Sequence, residues 1–206
     1  MSPAGIHQGR LGINDWGFYI VMPLFGLLGS ELMFYYNGAI PIQRGCDMNY
    51  PDAESLGHSF EFTHMLITRL TAGLNHAGSV VQPPFKGNAL NWVLGHIVAG
   101  RNEALTYLGG EPVWGDEELG FYKTGSDPIT GDDQGLTLEQ LLAAFDEVQE
   151  RLSDRLAEIW AEELAKVVDT RFGERPVGEH VASLHWHETY HAGQLELLRE
   201  LAKKAV

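Results

Sequence analysis

His187 and His191 stand four residues apart in a segment whose other periodic positions, Val181, Leu184, Leu195 and Leu198, are aliphatic. Positions i and i+4 of a helix share a face and lie one turn apart. Two imidazoles thus replace apolar side chains in the middle of a core stripe. A buried imidazole without a partner costs free energy, so something must satisfy both rings, and one divalent metal ion can do so. A third ring comes from another helical segment, where His96 lies with Val93, Ile97 and Gly100 on a face that reads as inward. Ligands projecting inward from facing helices are how bundles build metal sites. Three nitrogens leave coordination positions open, which is the arrangement of catalytic rather than structural sites, and a water bound there would be acidified towards neutrality. The bland alternative is that His-x-x-x-His arose by chance and His96 is a hydrogen-bonded core residue.

Neighbouring residues extend the pattern. Glu188 lies about 100° round the helix from His187 and could orient a ligand or act as a general base, or be an inter-helix carboxylate. Tyr190, on the other flank, could donate a hydrogen bond to a group on the metal, or pack. Gln194, about one turn beyond His191, could fix a ring or cap a loop. His180 lies on the site face two turns before His187, and His185 reads as exposed. His58, His64 and His76 fall on or near the first helix without a pattern. No Ser-His-Asp order, P-loop or G-x-G-x-x-G fingerprint is present.

Four amphipathic stretches must position these side chains. Leu56, Phe60, Thr63, Ile67, Leu70 and Leu74 recur at helical spacing, and Pro83-Pro84 forbids continuation. A second helix is expected from about Asn88 to Leu108, stopped by Gly109-Gly110-Glu111-Pro112. Residues 109–136, rich in Gly, Asp and Pro, read as a long crossover loop. Thr137-Leu138-Glu139-Gln140 fits a capping box that opens a third helix, expected to end near Val168. Pro176 marks the start of the fourth. No stretch reads convincingly as strand. The expected fold class is all-α: an antiparallel-type four-helix bundle over 51–206, with a long crossover between helices two and three.

Residues 1–50 differ. The run from Trp16 to Tyr36 is long enough to cross a bilayer and carries one charge, Glu31, but Pro23 and several glycines interrupt it. The preferred reading is an apolar N-terminal arm that packs on itself or a partner. A membrane segment and an over-extended reading frame beginning before Met48 are the alternatives. No A-x-A cleavage pattern follows the run.

Charge and cysteine count set outer limits. Lys and Arg number 14 against 28 Asp and Glu, a net charge of −14. Such a surface repels phosphate backbones and anionic lipid, so neither nucleic acid nor membrane is an expected partner. Cys46 is the single cysteine, which excludes an intrachain disulfide and a Cys-based zinc knuckle, and fits a reducing, cytoplasmic compartment.

At this point the residues resemble a known family. His187-Glu188-Thr189-Tyr190-His191-Ala192-Gly193-Gln194-Leu195 looks like the last-helix signature H-E-x-x-H-R-G-Q-L of the DinB/YfiT-like metalloenzymes, and Asn91-Trp92-Val93-Leu94-Gly95-His96 resembles their second-helix histidine segment. The resemblance spans about residues 50–204, with Ala192 in place of the usual Arg. It implies a four-helix bundle that often dimerises, with zinc or nickel on His96, His187 and His191. It also implies chemistry on a small-molecule substrate: S-transfer from a low-molecular-weight thiol, or metal-assisted hydrolysis. The competing reading is a non-catalytic metal-binding stress or interaction protein.

Overall fold

The computed structural model describes residues 50–131 and 134–205. The apolar arm is outside the described residues except for its last residue, Tyr50. Four long helices form the bundle: α1 (Ala53–Thr71), α3 (Leu90–Tyr107), α5 (Leu138–Glu158) and α7 (Val177–Ala202). Three short ones, α2 (His76–Ser79), α4 (Asp116–Tyr122) and α6 (Ala161–Leu164), lie in the connections.

Helix starts follow local chemistry. The Asp52 carboxylate caps α1 by accepting from Ser55 N–H at 2.9 Å. Thr137 and Gln140 form the expected capping box of α5, with Thr137 N–H to Gln140 Oε1 at 2.8 Å and Gln140 N–H to Thr137 Oγ1 at 3.2 Å. At the other end of α1, Arg199 donates to the carbonyls of Arg69, Leu70 and Ala72, supplying a cation to the free C-terminal acceptors.

Each long helix packs against two others, in the cyclic order α1–α5–α3–α7. The expected antiparallel arrangement is only half realised. Asn91 meets Leu136 and Leu108 meets Arg155, so α3 and α5 run parallel. Ser59 meets His185 and Leu70 meets Arg199, so α1 and α7 are parallel too. His96 packs on His191 whereas Glu103 meets His180, so α3 and α7 are antiparallel. The physical cause is the crossover after α3: a connection this long returns the chain to the starting end, so the next helix points the same way.

α3 is the central helix. Leu90 to Val98 are all buried, which leaves little amphipathic contrast there. The crossover is tied to it: Asn102 Oδ1 accepts from Val113 N–H at 2.7 Å and Trp114 N–H at 3.0 Å. Tyr122 Oη donates to Asn91 Oδ1 at 3.2 Å and accepts Leu136 N–H at 2.7 Å. A loop so anchored is part of the core rather than a flexible link.

The third helix stops at Glu158, not Val168. Ile159 is extended, and Glu163 turns back to accept from Trp160 N–H at 3.2 Å, which starts α6 instead. An antiparallel hairpin that the sequence reading did not foresee then follows: β1 (Val167–Thr170) pairs with β2 (Gly173–Pro176). Its two-residue turn, Arg171-Phe172, is closed by Gly173 at φ 92°, a conformation that favours glycine. Among the described residues no helix is long and apolar enough to cross a membrane.

Candidate metal centre

Facing stretches of α3 and α7 bring His96, His187 and His191 together. Each offers one ring nitrogen, and these atoms all lie within 4.8 Å of one another. The rings stand edge-to-face, with His96 centred 5.1 Å from His187 and 4.9 Å from His191. His187 Nε2 and His191 Nε2 are 3.0 Å apart. Two nitrogens each about 2.1 Å from one ion fit comfortably at that separation.

The far nitrogens of two rings are already used. His96 Nδ1–H donates to the Tyr122 carbonyl at 2.6 Å, and His191 Nδ1–H donates to Gln194 Oε1 at 2.7 Å. These acceptors fix the tautomer and leave each Nε2 lone pair facing the cluster, as metal-binding histidines require. His96 is also stacked on Trp92, ring centres 4.8 Å apart, and Trp92 Nε1 is anchored on Ser126 Oγ at 2.9 Å. Gln194 in turn donates from Nε2 to Tyr190 Oη at 3.2 Å, while the Tyr190 ring packs edge-on to His191.

Electrostatics keep the rings neutral. Burial pushes the pKa of His187 and His191 down to about 4, helped by mutual repulsion among the three rings. Burial also lowers that of His96, against the pull of the Tyr122 carbonyl. The neutral ring is the form that binds a cation. The fit is therefore good: three ring nitrogens converge, burial disfavours the cationic form of each ring, and one side is open. His96 and His187 line the end of a cavity of about 690 Å³, walled further by Gly100, Glu103, Tyr107, Lys123 and Arg171.

Glu188 lies elsewhere. It is 3% exposed, and both its carboxylate oxygens are taken by Arg101, from Nε at 2.8 Å and Nη2 at 2.7 Å. Arg101 completes its donors on the Phe60 carbonyl, Thr63 Oγ1 and Gln149 Oε1. The pair therefore joins all four long helices, and neither residue lines the cavity. Arg101 was not foreseen from the sequence; its only signal is a cation inside the apolar run of α3.

The remaining histidines are dispersed. His180 is fully buried, 3.2 Å from Glu103 through Nε2, and its Nδ1 has no partner among the described residues. His185 is half-buried rather than exposed: it reaches the Ser59 carbonyl at 3.1 Å and packs on Phe60. His64 pairs with Asp146 at 2.8 Å, His76 accepts from Leu138 N–H at 3.3 Å, and neither approaches the cluster. Gly100 permits no close helix contact, since a Cβ there would meet nothing within 4 Å; it widens the cavity instead. Gly193 likewise faces open space.

Comparison with known proteins agrees with this picture. A conserved protein from Enterococcus faecalis, known from a crystal structure, superposes with a TM-score of 0.58 at 14% identity, over 74% of this chain and 97% of that one. At that identity the likeness concerns the fold alone. No curated protein matches the chain significantly. Residues 59–195, which span the histidine cluster and most of the bundle, match the DinB superfamily, and the chain belongs to that superfamily.

Proposed function

We propose that this chain is a metal-dependent enzyme acting on a small molecule, with one divalent ion, zinc or nickel, held by His96, His187 and His191. The observation that carries the reading is the pair of Nε2 atoms 3.0 Å apart, with the His191 ring oriented by Gln194 behind it. When bound, such an ion supplies a Lewis acid that lowers the pKa of a coordinated water or thiol. The protein's own residues do the rest. Tyr122 and Gln194 hold two rings in the ligating tautomer. Trp92 covers one face of His96 and excludes water there. The cavity admits a substrate of the size usual for small-molecule pockets. The proposed reaction is S-transfer from a low-molecular-weight thiol, with metal-assisted hydrolysis as the second candidate. The softness of sulfur for zinc and nickel favours the first. Glu188 serves as the counter-ion of Arg101 rather than as a base, because both oxygens are committed.

Elemental analysis of protein purified without a histidine tag tests the metal reading. Wild type is expected to carry about one ion per chain and His187→Ala much less; equal metal in both overturns it. Turnover of a chlorinated aromatic acceptor with low-molecular-weight thiols, compared with His191→Ala, tests the transferase reading.

The proposed partner is a second copy of the chain. Trp186, Tyr190 and Leu197 on α7 and Phe62, Met65 and Leu66 on α1 are exposed apolar side chains on neighbouring helices. The hollow between these helices also contains Arg69, Arg199 and Glu196. Both charge signs in one patch allow it to pair with itself about a two-fold axis. Light scattering should give a dimer for wild type and a monomer for Trp186→Glu/Leu197→Glu; a monomeric wild type refutes this.

A further inference from the structure

The cavity beside the histidines holds cations where a cation site should not want them. Arg171, at the tip of the β1–β2 hairpin, and Lys123, just past α4, both line it together with His96 and His187. Neither forms an ion pair among the described residues, although acids outnumber bases two to one in the chain (28 against 14). Arg171 shares the cavity lining with His96 and His187, so its charge faces the histidine cluster. The same charge opposes a metal ion. Three neutral imidazoles bring no negative charge of their own, so a divalent ion in their midst keeps its full charge. Two unpaired cations alongside add to it. Glu103 and Asp116 in the same lining offset the two cations but not the ion, so an anion arriving with the ligand completes the balance.

Two acids also line the cavity, and they limit what that anion can be. Glu103 is engaged by His180 at 3.2 Å, and Asp116 opens α4. Their charge disfavours a phosphate, which gathers two negative charges on one group, more than a carboxylate, which carries one per group. A guanidinium offers the planar, two-pronged donor set that a carboxylate matches.

We infer that Arg171 and Lys123 hold a carboxylate group of the substrate or cosubstrate, with its reacting end at the histidine cluster. The inference rests on the proposed function for the meaning of "substrate", but the carboxylate contact does not depend on the metal. Carboxylate-bearing small molecules are the class this cavity selects, and the hairpin, absent from a bare four-helix bundle, is the element that supplies the selection.

The test titrates the full-length protein, metal-free and zinc-loaded, with succinate and with its neutral analogue succinamide. Binding is read from the backbone amide shifts of Thr124 and Arg171 in ¹H–¹⁵N NMR spectra. Saturable succinate binding is expected, with none for succinamide and weakening at high salt. Arg171→Gln and Lys123→Gln should each weaken it about tenfold, the loss of one charge-assisted contact. Arg171→Lys should recover part of it. Both residues are exposed, so the variants should keep the wild-type melting temperature. Equal binding of succinamide, undiminished succinate binding in both Gln variants, or no saturable shift in either form of wild type overturns the inference. Succinate binding that persists in a His187→Ala protein lacking metal would sustain it even if the metal reading failed. Normal zinc content with indifference to succinate would separate the failures the other way.

Discussion

Gly95 lies directly beneath the ring of Tyr122, so close that a Cβ on Gly95 would sit 2.3 Å from Tyr122 Cδ1. The same tyrosine uses its carbonyl to hold His96 Nδ1 at 2.6 Å, so the glycine sets the position of the next residue's ring. Gly95→Ala should cost about 1–3 kcal/mol through overpacking. It should also lower metal affinity about 10–100-fold by moving the Tyr122 carbonyl. Gly100→Ala is the control on the same helix. Its Cβ meets nothing within 4 Å, so it should stabilise by roughly 0.5–1 kcal/mol through helix propensity alone. Urea denaturation and competitive zinc titration check both; equal effects of the two substitutions would refute the account.

The Arg101–Glu188 pair is almost wholly excluded from water, with side chains 0% and 4% exposed. Glu188→Gln leaves a buried guanidinium without its counter-charge and should destabilise by about 3–5 kcal/mol. Replacing both partners, as Arg101→Met/Glu188→Leu, removes the charges together and should cost far less. Metal content should survive in the double variant, because Glu188 faces Arg101 rather than the histidines. Loss of metal there, with the fold intact by circular dichroism, would return Glu188 to the site.

These residues also show where the sequence informs and where it does not. His187 and His191 were legible because both lie on one helix at a spacing that geometry alone interprets, and because the stripe around them is aliphatic. Their meeting with His96 was legible only in outline, from the inward face of a second helix. Arg101 and Glu188 are far apart in sequence on different helices, so no local pattern could join them. Four-residue strands in β1 and β2 are too short for an alternation to stand out from the preceding helical stripe. The direction of the helices depended on how far the crossover travels, which composition does not state.

Acid should weaken the metal-free fold through the two α7 rings. His187 and His191 have folded pKa values of about 4, below the unfolded value near 6.5. The unfolded chain therefore binds more protons between those limits. The stability they lend is complete above about pH 6.5 and is lost as pH falls towards 4. His187 is partly exposed, so its share is the smaller. Urea midpoints of metal-free wild type and of His187→Gln/His191→Gln, measured across this range, isolate the effect from the carboxylates. The double variant should show the shallower fall; parallel curves would refute the assignment.

Gln194 should matter more than Tyr190, although both sit beside His191. Gln194 Oε1 accepts from His191 Nδ1 at 2.7 Å and so places the lone pair on Nε2. Tyr190 Oη only accepts from the Gln194 amide, at 3.2 Å, and half of Tyr190 is in solvent. Gln194→Ala frees the ring to rotate and change tautomer, which should weaken metal binding about 10–100-fold. Gln194→Glu keeps the acceptor and adds a negative charge behind the ring, so affinity should return to wild type or exceed it. Tyr190→Phe removes one neutral hydrogen bond from the amide and should change affinity by less than about threefold. Zinc competition against a chromophoric chelator ranks the three variants. A Tyr190→Phe defect as large as that of Gln194→Ala would mean that the hydroxyl itself, not the amide, acts at the metal.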